Sequence, residues 1–209
     1  GNRVAYTSNK ETDYFRTSRL FVLDVETKKE KEIAGGVASQ LSWSPDGKKL
    51  YYTKHSHSNP NGSEFSDIYV YEIEAENETR LTYGRRAIST SISPDGSTLA
   101  FTFENDGTMN IGTTDSVGGK YRQLTGYSNG EQTYHPQWSP DGMSIVFGYS
   151  IKDGQDVARI PADSGTVEFL VLGNDDARDP VYSSDGSSII FSSDRTGIFN
   201  LYKLDQLNG

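Results

Sequence analysis

Short apolar runs punctuate an otherwise polar chain at regular intervals: KKLYYT at 48–53, STLAFT at 97–102, MSIVFG at 143–148 and SSIIFS at 187–192. Each is too short for a helix and carries β-branched or aromatic residues, the pattern of a strand buried on one or both faces. Directly before each run stands a turn, SPDG at 44–47, 93–96 and 139–142 and SSDG at 183–186, so the spacings are 49, 46 and 44 residues. A period of this size points to a repeat architecture. The first residues, GNRVAYTS, fit the same template when Gly1 is placed at the position of Gly47, giving five copies.

The same periodicity extends through each copy. A second strand follows in RLFVLDV, DIYVYEI, MNIGTTD, DVARIPA and NLYKLDQ, and a shorter third in KEKEI, ETRLT, YRQLT and TVEFLVL. A fourth, SQLSWS, ISTSIS, HPQWS or DPVYS, leads into the next turn. Four strands per period is the unit of a β-propeller blade, and no stretch has the 3.6-residue period of a helix. In the turn, Pro is pre-set for the second position, Asp and Ser bond nearby backbone N–H groups, and Gly accepts positive φ. Trp43, Ile92, Trp138 and Tyr182, each just before a turn, are expected to fill space between adjacent blades.

The expected fold is therefore all-β, a propeller of four-stranded antiparallel blades. Innermost strands are expected at about 38–43, 87–92, 133–138 and 178–182. Residues 1–209 read as one propeller segment with repeat units of approximately 1–46, 47–95, 96–141, 142–185 and 186–209. The two terminal blades read as incomplete, which implies about six to eight blades in the whole propeller. The repeats WSPDGKKLYYT, WSPDGMSIVFG and SSDGSSIIFSSDRTGIFNLYKLD resemble the Pro-Asp-Gly-type repeats of TolB-like propellers, and the resemblance covers essentially the whole chain. It implies a non-catalytic scaffold acting outside the cytoplasm, in the periplasm or an equivalent space. The same repeat occurs in the substrate-gating propellers of prolyl-oligopeptidase-type serine peptidases and in some polysaccharide lyases. These give two enzyme alternatives, and the lyase would require several histidines converging on a channel.

The net charge of −9 argues against nucleic acid as a partner, because the field repels polyanions. No apolar run approaches the roughly 18 residues of a membrane span. There is no cysteine, so no disulfide forms. GYSNG at 126–130 matches the Gly-x-Ser-x-Gly nucleophile elbow, but EQTYHPQW follows where the elbow needs a helix. His55 and His57 alternate in a polar segment without a clear third ligand, and the Asp-Gly loops ENDGTMN, KDGQD and SDRTG lack the ligand ladder of a calcium site. No metal or cofactor is expected.

Strand alternation places the blade-to-blade loops and the loops joining each blade's two middle strands at one end. The Pro-Asp-Gly turns and outer hairpins lie at the other. The first end carries Tyr14, His55, His57, Arg85, Arg86, Tyr127, His135, Arg178 and Asp179, aromatic and charged side chains suited to binding another protein or a peptide. The partner is expected to be an envelope complex or the remainder of the same propeller. The turn end reads as turn residues and little else.

Overall fold

A computed structural model of the chain describes residues 1–10, 18–37, 39–56, 65–163 and 165–206. Among them are eighteen strands and no α-helix. The chain divides into two compact units, 1–90 and 91–209.

In the first unit, β1 (Arg3–Ser8), β2 (Arg19–Asp24) and β3 (Glu30–Gly35) form a three-stranded sheet. The next four strands, β4 (Ser42–Trp43), β5 (Lys49–Ser56), β6 (Phe65–Glu72) and β7 (Asn77–Arg80), form a four-stranded one. Both are antiparallel. Leu20, Val22, Ala34 and Val37 of the first sheet's segment meet Leu50, Tyr52, Tyr69 and Tyr71 of the second, with Trp43 packed at their border. The innermost strand expected over 38–43 is only two residues long. Ser39 accounts for the shortening: its Oγ accepts the Thr53 N–H at 2.8 Å, so a side chain takes the place of a ladder carbonyl.

The division between the units falls inside β8 (Ala87–Ile92), which joins β9 (Thr98–Asn105), β10 (Thr108–Asp115) and β11 (Arg122–Gln123) in the order β11-β10-β9-β8. Then come β12 (Gln132–Trp138), β13 (Ser144–Ser150), β14 (Asp156–Pro161) and β15 (Glu168–Val171). A three-stranded sheet of β16 (Ala177–Tyr182), β17 (Ser188–Ser193) and β18 (Asn200–Asp205) closes the series. The β13 run is apolar at consecutive positions because both of its faces are covered. Ile145 and Phe147 pack with Ala100 and Ile111 of the preceding sheet, whereas Val146 packs with Ala177, Ile189 and Phe191 of the following one. Full burial of Ile145 and Phe147 stabilises by about 1.5–3 kcal/mol each. Trp138 and Tyr182 lie at these sheet-to-sheet contacts, as their place before the turns suggested.

All four repeated turns close in the same way. The Ser44 hydroxyl donates to Asp46 Oδ1 at 2.6 Å and accepts the Lys49 N–H at 2.8 Å, while Asp46 Oδ1 also accepts the Lys48 N–H. Ser93 with Asp95, Ser139 with Asp141 and Ser183 with Asp185 repeat the arrangement. The closing glycines sit at φ 69, 73, 72 and 72°, where a Cβ is strained. Hydroxyl and amide donors hold these carboxyls below the ordinary range, to about 2 for Asp95 and Asp185. The ENDGTMN segment is a two-residue hairpin with Asp106 and Gly107 both at positive φ, the turn preferred between twisted antiparallel strands.

Candidate functional site

The loops at the candidate binding end are held by a device that recurs along the chain. Asp67, wholly buried, stands at the start of β6 and accepts from Thr82 Oγ1 at 2.8 Å, from the Gly84 and Arg85 N–H groups, and from Arg80 Nη2 at 2.7 Å. One repeat later Asn110 accepts from Thr125 Oγ1 and the Tyr127 N–H through Oδ1, and donates to the Tyr127 carbonyl. A buried carboxylate is tolerated only when charge and lone pairs are matched, and four donors do this for Asp67. The consequence is a fixed backbone at the loops that carry Arg85, Arg86 and Tyr127. The residue pattern is legible afterwards as Asp or Asn before Ile, paired with a Leu-Thr about fifteen residues on, but sequence reasoning did not single it out.

In the second unit the structure joins two of the expected residues directly. His135 and Asp179 occupy matching positions of the neighbouring strands β12 and β16, each followed by Pro, and His135 Nδ1 lies 2.6 Å from Asp179 Oδ1. Both are in the left-handed region, at φ 44 and 53°, and the ladder register shifts at each. Such backbone costs on the order of 1–3 kcal/mol per residue, and bulges of this kind re-aim side chains. Both side chains remain about half exposed or more, at 47% and 64%. Beside them the Arg178 guanidinium pairs with Asp176 and lies 4.9 Å from the Phe199 ring centre. The His135–Asp179 contact is thus adjacent in the chain to a second ion pair, that of Arg178 with Asp176.

The remaining expected residues are placed differently. Tyr14 and His57 lie outside the described residues. His55 closes β5 with Nδ1 3.2 Å from Ser66 Oγ. Arg86, at φ 53°, places its guanidinium 4.8 Å from the Phe65 ring centre. Tyr127 turns inward: its ring centre is 5.4 Å from that of Tyr149, its hydroxyl is buried, and burial pushes its pKa up to about 12. Tyr127 therefore serves the core through its ring and the loop through its backbone. Ser128 of GYSNG follows a two-residue strand and precedes β12 with no helix, so the elbow geometry is absent. Among the described residues no three His, Asp or Glu side chains gather as a metal site.

The turn end is richer than the sequence suggested. A cleft of about 520 Å³ lies between the 93–98 and 138–142 turns, lined by Pro94, Asp95, Arg122, Trp138, Pro140 and Asp141 among others. The Arg122 guanidinium donates to the Ala162 and Asp163 carbonyls, and Trp138 Nε1 donates to the Ser91 carbonyl at 3.0 Å. Pro94, Pro140 and Trp138 supply apolar surface to the cleft beside the polar groups of Asp95, Asp141 and Arg122.

Comparison with known proteins follows the same lines. The family described as TolB beta propeller domain matches residues 1–179. The Tol-Pal system protein TolB of Francisella tularensis subsp. mediasiatica is 28% identical over 195 residues, covering 91% of this chain and 43% of that protein. An uncharacterized peptidase, YuxL of Bacillus subtilis, is 27% identical over 192 residues, 74% of this chain and 29% of the relative. The crystal structure of TolB from Acinetobacter baumannii superposes with a TM-score of 0.76 at 22% identity, over 98% of this chain and 49% of that one. The chain thus spans less than half the length of these relatives.

Proposed function

The chain belongs to the TolB β-propeller family, and from that premise we propose that it is a non-catalytic scaffold that binds another protein or a peptide outside the cytoplasm. The binding end is the one that carries the sheet-to-sheet loops. The observation that carries this reading is the exposed His135–Asp179 pair, held at strained backbone beside Arg178. Strain of this kind persists where surrounding structure over-determines it, and it clusters at functional sites. Arg85, Arg86 and Arg178 supply planar cations that recognise carboxylates in bidentate fashion, so acidic or C-terminal segments are the favoured ligands.

A second reading has a specific support, the Bacillus subtilis relative named as a peptidase. In that case the chain is the substrate-gating propeller of a serine peptidase whose nucleophile lies elsewhere in a longer polypeptide. Both readings deny catalysis to residues 1–209. The purified chain is expected to release no product from peptide, ester or polyuronate substrates, and Ser128→Ala to leave folding and binding unchanged. Turnover abolished by Ser128→Ala would overturn both.

A further inference from the structure

The cleft of about 520 Å³ between the 93–98 and 138–142 turns, wholly within the second unit, holds charges of both signs that the chain leaves unpaired. The Arg122 guanidinium gives its hydrogen bonds to the Ala162 and Asp163 carbonyls and meets no carboxylate among the described residues. Asp95 and Asp141 line the same cleft. Each spends Oδ1 on its own turn, Asp95 on Ser93 and Ser97 and Asp141 on Ser139 and Met143, and neither meets a cation among the described residues. Asp141 Oδ2 accepts no hydrogen bond among them.

Other repeats neutralise the cation at this corner. Thr113 faces Arg122 across β10 and β11 in the register that Arg159 and Glu168 hold across β14 and β15. There the guanidinium is paired: Arg159 Nη2 lies 2.6 Å from Glu168 Oε2, and Arg159 also donates to Gln206 beside the buried Tyr182 hydroxyl. In the first unit Lys31 holds the matching place on β3 and pairs with Glu76 at 2.6 Å. Thr113 brings no charge, so Arg122 stands without the carboxylate that its counterparts have. Pro94, Pro140 and Trp138 add apolar surface to the cleft, and the Trp138 indole is fixed by its Nε1 bond to the Ser91 carbonyl.

We propose that this cleft binds a short zwitterionic peptide, with its ammonium on Asp95 and Asp141, its carboxylate on Arg122 and an apolar side chain against Trp138 and the two prolines. A guanidinium carries five N–H donors in a fork that matches two carboxylate oxygens, and Arg122 has spent only part of them. Asp141 Oδ2 is a free acceptor for an ammonium. The volume falls in the range of about 300–1,000 Å³ usual for small-molecule sites. A single amino acid carries both charges on one carbon, whereas the carboxylates and the guanidinium here belong to separate segments of chain. Both charges within one cleft also favour a small free peptide over the single terminus of a longer chain, so this site is distinct from the protein-binding loop end.

The test titrates the 209-residue chain with the dipeptide leucyl-leucine by calorimetry. Saturable binding is expected, and N-acetylation or C-terminal amidation of the dipeptide is expected to weaken it about tenfold each, the scale of one hydrogen bond to a charged group. Arg122→Gln is expected to do the same, as is Asp141→Asn, which keeps the Oδ1 acceptor that closes its turn. The modified dipeptides probe the same charges without altering the protein. Affinity is expected to fall as pH rises past about 8, where an α-amino group loses its proton. Unchanged affinity for the acetylated or amidated dipeptide, or for either variant, would overturn the proposal. The absence of saturable binding at millimolar concentration, or tighter binding of free leucine than of the dipeptide, would overturn it too.

Discussion

Asp67 illustrates how much one side chain does here. It neutralises Arg80, satisfies Thr82 and fixes the backbone ahead of Arg85 and Arg86 from a position without solvent contact. Asp67→Ala removes the charge partner of the half-buried Arg80 and the acceptor for the Thr82 hydroxyl and the Gly84 and Arg85 N–H groups, and is expected to cost about 3–5 kcal/mol. Asp67→Asn keeps a carbonyl oxygen where Asn110 already shows that one suffices, and is expected to cost about 1–3 kcal/mol. Urea denaturation of the two variants checks the order, and equal losses would mean that Asp67 acts through its charge alone. At this scale the sequence was partly legible. His135 and Asp179 were both singled out, but their contact bridges 44 residues and local pattern cannot show it. The signal that could have found it is the shared position before Pro in HPQWS and DPVYS.

Elements were more legible than contacts, because turn chemistry and apolar runs act locally. The four turns were read correctly from Pro, Asp and Gly, and the structure adds the serine that locks each aspartate. In the folded chain those aspartates titrate below the ordinary carboxylate range, at about 2 for Asp95 and Asp185. A depressed carboxyl contributes stability that is complete above its unfolded value and disappears as pH falls through the folded one. The urea midpoint is therefore expected to drop between about pH 4 and 2, and Ser93→Ala with Ser183→Ala to shrink that drop; an unchanged acid profile in the double variant would refute the role of the hydroxyls. Strand lengths were less legible. Ser39 truncates β4 through a side-chain bond that no apolar pattern encodes, and β11 is reduced to Arg122–Gln123.

For the whole molecule, repetition made the fold readable and function hard to read, since one repeat supports binding proteins and enzymes alike. The turn end, with its Trp138 and proline cleft, is the competing surface that the sequence did not reveal. The charged patch around His135 favours the loop end. The most direct test is site-specific photo-crosslinking in the cells that make the protein. A photoreactive residue is placed at exposed loop positions Tyr83 or Ser128, and at exposed turn-end positions Val117 or Met143. Discrete adducts with another polypeptide are expected from Tyr83 and Ser128 and not from Val117 and Met143. Adducts confined to Val117 and Met143, or none above background at any of the four, would contradict the account.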